Sequence, residues 1–380
     1  MTGLLGALAA AWFAASAAGE PSVVPLDVGA PARATAVRSG ERLHILYELR
    51  LTNFAPRPVT LEGLEALDPA GRSLAAFDAA ALTGMVAHRG PSPAEGAELV
   101  VPPGGFVVVF LDVQTSAGRA PSKLVHRIRV RGASPDAPAS RTMVEAGAVA
   151  VAGAPLRLGP PLKGAGWLAA NALSNESDHR RTLAVVDGHA RISQRYAIDF
   201  VQLDARGRPF RGDPARNESW TGYGADVLAV ADGTVAAVRD DLPDNVPGAA
   251  PAVPVSLATI GGNHVVLDVG GGARVFYGHL RPGGVKVRPG QKVRRGEVLG
   301  SLGNSGQSDA PHLHIHVSDG TTALGGEGLA YAFDGMSVRG YVPSLAVLER
   351  PEGWTGAAAA RPRPASGELP GANAVVDFAP

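Results

Sequence analysis

The heptapeptide Pro311-His312-Leu313-His314-Ile315-His316-Val317 alternates three imidazoles with three apolar side chains. In an extended chain, residues two apart share a face. Leu313, Ile315 and Val317 are then expected to enter a core, with His312, His314 and His316 on the opposite surface. Imidazole is the commonest metal ligand and titrates near neutral pH. Two imidazoles at this spacing on a strand can chelate one ion, so the stretch reads as half of a zinc site. A merely polar strand face is the bland alternative. Against it, three of the chain's ten histidines fall within five residues.

Composition narrows what else can take part. There are no cysteines, so disulfides and thiolate sites are excluded and any metal must be held by His, Asp or Glu. Lys+Arg and Asp+Glu both number 35, the net charge is zero, and no basic stripe points to nucleic acid. A length of 380 residues implies two domains. With 49 Gly, 31 Pro and few aromatics, a turn-rich β protein is expected.

The elements that must position the histidines follow in order. Residues 1–19 read as an export signal, an apolar run closing on Ala15-Ser16-Ala17, although no positive charge precedes it. No other stretch reads as a membrane span. Residues 20–135 show strand alternation, as in Leu43, Ile45, Tyr47, Leu49 and Leu51, and suggest an immunoglobulin-like sandwich. Residues 136–161, rich in Ala, Gly and Pro, read as a linker. Residues 162–348 form a second β domain, and 349–380 a tail too poor in apolar surface to fold. His179, beside Arg180 and Arg181, reads as solvated.

Three short words of the second domain form one pattern: Arg195-Tyr196-Ala197-Ile198-Asp199, Tyr277-Gly278-His279-Leu280 and Pro311-His312-Leu313-His314. Between the last two runs Val287-Arg288-Pro289-Gly290-Gln291-Lys292-Val293-Arg294-Arg295-Gly296-Glu297-Val298-Leu299-Gly300, a pattern that biotinyl- and lipoyl-type barrels share. Together, in this order, the words resemble the lysostaphin-type zinc endopeptidases, over about residues 192–317. The resemblance implies an antiparallel duplicated-hybrid-motif fold with an open groove. It also implies zinc held by Asp199 and His314, His279 and His312 as the catalytic imidazoles, and peptidoglycan peptides as substrate. Action in the periplasm or outside the cell follows, and a protein partner in wall remodelling is compatible with it.

One position departs from that family. Its first ligand, a histidine four residues before the aspartate, is here Arg195. Guanidinium offers only donors and cannot ligate a cation. In one reading Arg195 swings away and another imidazole substitutes: His316, His189, or His312 at the cost of its catalytic role. In another, Arg195 pairs with Asp199 across one strand face and displaces the metal. The domain would then be a catalytically inactive relative that binds wall peptide or regulates a hydrolase. In a third, the register is wrong.

Overall fold

Arg42–Asn53 and Phe106–Ser116 pair antiparallel along nearly their whole length, from Arg42 opposite Ser116 to Thr52 opposite Phe106. The structure is a computed structural model describing residues 24–31, 33–87, 98–116, 118–132, 140–350, 352–358 and 361–379; the expected export signal lies outside them. The long pair centres a five-stranded sheet facing a six-stranded one built on Val59–Leu67, Lys123–Arg131 and Arg141–Val151. Alternate residues of each, among them Tyr47, Leu49, Leu51, Leu61, Leu64 and Ile128, are almost fully buried between the sheets. Each such side chain contributes about 1.5–3 kcal/mol of hydrophobic stabilisation. Arg141–Val151 corrects the expected linker at 136–161. Its Val144, Val149 and Val151 pack against the sandwich core, so the first domain extends to Val151.

The other face of the first sheet is also covered. Leu46 joins the core of the second domain, while Val108 and Phe110 pack against Ile192. The two domains therefore share an interface, and Glu48 lies within it with its side chain only 11% exposed.

The second domain is organised by a ten-stranded antiparallel sheet. Its middle runs Ala273–Leu280, Leu313–Ser318, Ile198–Gln202 and Gly164–Ala170. Leu313, Ile315 and Val317 enter the core as the alternation predicts. The tail corrects a second expectation. Ala374–Phe378 pairs with Gly164–Ala170 and buries Val375, Val376 and Phe378, so a five-residue apolar run is enough when a waiting edge supplies its hydrogen bonds. Arg363–Ala365 closes that end of the sheet. The protein is all-β, and among the described residues the helices are five residues long at most.

Candidate metal centre

Register brings the first two groups together. Asp199 lies directly opposite His314, and His314 opposite Gly278, which precedes His279. Asp199 Oδ1 stands 3.0 Å from His314 Nδ1 and 3.3 Å from His312 Nε2. His279 leaves its strand in a left-handed conformation, φ +59°, with its N–H donating to the Gly261 carbonyl. A non-glycine residue held at positive φ is a strain that recurs at functional sites. Here it turns the His279 ring to within 4.7 Å of the His312 ring, centroid to centroid.

The third group is His179. Its Nε2 is 3.3 Å from Asp199 Oδ2, and its ring meets that of His314 edge-on at 4.7 Å. His179, Asp199 and His314 each offer a ligand atom, all within 4.8 Å of one another. This corrects the reading of His179 as solvated. It sits on the single-turn helix Asp178–Arg181, and Asn171 ties it down: the Asn171 carbonyl accepts from Ser177 Oγ at 2.6 Å and contacts His179 Nδ1 at 3.1 Å. The Asn171 amide also donates to Asp199 Oδ2 at 3.1 Å. The segment 174–181 is polar and aperiodic, so no strand or helix pattern marks it. Its one legible signal is His179 beside two arginines with only Asp178 and Glu176 nearby, a cluster of cations needing partners from elsewhere.

Arg195 does not pair with Asp199. Residues 193–196 form a turn before the strand begins at Ile198, so the expected shared strand face does not exist. Its guanidinium donates to Glu48 Oε2 at 2.7 Å and Oε1 at 3.1 Å, to the Gly328 carbonyl at 3.0 Å, and to Glu327. Of the substitute ligands expected from the sequence, His189 and His316 do not take the third place. His189 is exposed on the small hairpin of Ala184–Val186 and His189–Arg191. His316 is fully buried behind His314, with its Nδ1 2.9 Å from His314 Nε2 and Phe276 stacked on its ring. Its Nε2 has no partner among the described residues.

Hydrogen bonds set the ring orientations. His279 Nδ1 faces the Ser305 carbonyl at 2.7 Å and His312 Nδ1 the Ala310 carbonyl at 2.8 Å. Each Nδ1 is then protonated; His279 Nε2 is left with a lone pair, while His312 Nε2 faces Asp199 Oδ1 at 3.3 Å, where it is a donor when protonated. Burial, followed by the neighbouring His312 and His314, holds His279 well below the ordinary imidazole range. Burial also lowers His312, but the Asp199 carboxylate outweighs it and the net shift is upward. Burial pushes the Asp199 carboxyl up; the surrounding imidazoles, His179 first, more than reverse this and hold it well below its usual range. Two neutral imidazole nitrogens and one carboxylate oxygen are a donor set that suits zinc. They open on a cleft of about 370 Å³ walled by Ile260, Gly261, Gln307 and Ser308. The end of the long connection 240–262 thus walls the cleft. Asn217, Trp220 and Tyr223 brace neighbouring loops, through Asn245, Pro214 and Asp244.

Residues 220–325 match the model of Peptidase family M23, a span that holds His279, His312 and His314 but stops short of His179 and Asp199. Among solved structures, the catalytic domain of lysostaphin from Staphylococcus simulans is similar at 21% identity, covering 43% of this chain and 88% of that one, with a TM-score of 0.22. A catalytic domain of a prophage-encoded M23 protein from Enterococcus faecalis is similar at 20% identity, covering 36% and 73%, with a TM-score of 0.23.

Proposed function

We propose, from a second domain whose residues 220–325 match the model of Peptidase family M23, that this protein is an exported zinc endopeptidase hydrolysing peptide cross-links of the cell wall. The observation that carries the proposal is the convergence of His179, Asp199 and His314 on one point at the floor of a cleft. A zinc ion held by three protein groups keeps a position open, where it acidifies a water and polarises a carbonyl. The chain's own residues supply the rest. His279 and His312 present Nε2 atoms to that space from rings fixed by backbone carbonyls. One can take the proton that an attacking water loses, and the other can donate a hydrogen bond to the oxyanion that develops. Export agrees with a peptidoglycan substrate; among the described residues no helix is long and apolar enough to cross a membrane.

A silent wall-binding or hydrolase-regulating module drew its support from Arg195. With Arg195 bonded to Glu48 and His179 beside Asp199, that support falls away. The test is zinc analysis of the purified protein together with release of new amino termini from peptidoglycan. About one zinc per chain and cleavage that a chelator abolishes and zinc restores are expected. Zinc without cleavage favours the silent module, and neither zinc nor cleavage overturns the proposal.

A further inference from the structure

The helix that presents His179 is four residues long, and its N-cap Ser177 makes no side-chain capping bond. One turn cannot sustain itself, because nucleation costs more than a single turn returns. Its support comes largely from the other domain. Arg180 is the most deeply buried charged side chain of the helix, 1% exposed, and bonds to Glu48 and to the carbonyls of Tyr47 at 2.8 Å and Leu111 at 3.3 Å. The guanidinium groups of Arg180 and Arg181 lie over the Phe110 ring, at 5.0 and 4.7 Å. Arg181 reaches the Gly84 carbonyl at 3.1 Å, and the Asn175 amide donates to the Phe110 carbonyl at 2.9 Å. Tyr47, Glu48, Gly84, Phe110 and Leu111 all belong to the sandwich.

We propose that the N-terminal sandwich is a working part of the metal centre: Glu48, through Arg180, positions the helix that holds His179 against Asp199. This rests on His179 being a zinc ligand. The same carboxylate accounts for both departures from the family pattern. Glu48 takes Arg195 on Oε2 and Arg180 on Oε1, so the residue standing where a ligand histidine is expected became part of the clamp that delivers the replacement. Glu48 and Arg180 are positioning residues; neither reaches the cleft.

The test measures zinc affinity of the full chain by chelator competition, and the visible spectrum of the cobalt-substituted protein, at matched near-ultraviolet circular dichroism. Glu48→Gln is expected to weaken zinc about 10- to 100-fold, the usual effect of losing a residue that orients a ligand, and to alter the cobalt bands. Glu368→Ala is the control. Its carboxylate also joins the domains, accepting from the Gly40 N–H at 3.0 Å, but has no bond to the helix. It should keep wild-type affinity. If Glu48→Gln does not fold, Asn175→Ala removes a single docking bond and should weaken zinc several-fold. Wild-type affinity and spectrum in Glu48→Gln, or equal losses in Glu48→Gln and Glu368→Ala, overturn the positioning role. His179→Ala separates the premise from the inference: if it binds zinc normally, the ligand assignment fails instead.

Discussion

His314 and His179 approach one carboxylate from opposite kinds of support. His314 is carried by a central strand, paired on both sides, and is 3% exposed. His179 rides on one helical turn at the cleft wall, its side chain 12% exposed, and depends on a second domain for its place. A sheet fixes a side chain through its own register, whereas a docked turn fixes one only while the docking holds. The two imidazoles can serve one ion and still respond differently to perturbation.

The largest test of that contrast removes the ligands. Asp199→Ala should weaken zinc at least ~10³-fold, about 4 kcal/mol, because the carboxylate is the point on which three imidazoles converge. His179→Ala and His314→Ala should both lose zinc. Added imidazole should restore binding more fully to His179→Ala, whose side chain is 12% exposed at the cleft, than to His314→Ala, whose side chain is 4% exposed and backed by His316. Equal rescue of both would erase the distinction.

The same contrast governs what the sequence discloses. Asp199 and His314 sit on strands whose alternation is local, so their faces could be read and their motifs matched. His279 and His312 followed from motif order. His179 could not be read in this way, because its position is set by Phe110 and Glu48, roughly 70 and 130 residues earlier in the chain. Of the two fates open to Arg195, pairing with Asp199 fails for a related reason: a turn, invisible to the alternation, separates it from the strand of Asp199. The last sheet strand, Ala374–Phe378, was hidden by its shortness, since its partner edge supplies the order that its composition lacks.

A second test acts on the clamp through pH. Burial raises the Glu48 carboxyl, but Arg180 and then Arg195 outweigh it and hold its pKa at about 2, below the ordinary 4.5. A carboxyl depressed in the folded state contributes stability that is complete above pH 4.5 and lost as pH falls towards 2. The thermal midpoint of the metal-free protein should therefore fall across that window. Glu48→Gln should remove this part of the slope and already be destabilised by about 3–5 kcal/mol at pH 7, since buried Arg180 loses its counter-charge and Arg195 keeps only Glu327. A slope unchanged by the substitution would mean that Glu48 is not the group titrating.

The smallest expected effect lies behind the sheet-held ligand. For His314 to give its Nδ1 lone pair to a cation beside Asp199, its ring proton must sit on Nε2, 2.9 Å from His316 Nδ1. His316 must then accept that proton's hydrogen bond and carry its own proton on Nε2, which is buried without a partner among the described residues. Leaving a buried N–H unsatisfied costs about 1–3 kcal/mol, a cost that makes sense where the ring sets the tautomer of a ligand. His316→Phe keeps the volume and the stacking on Phe276 but removes the acceptor. Zinc affinity should fall about tenfold, at the low end for a residue that orients a ligand. The metal-free protein should change little in stability, because the orphaned His316 nitrogen is gone but His314 Nε2 loses its own partner in exchange. If His316→Phe binds zinc as tightly as the wild type, the sheet alone orients His314, and the two supports differ even more than the geometry implies.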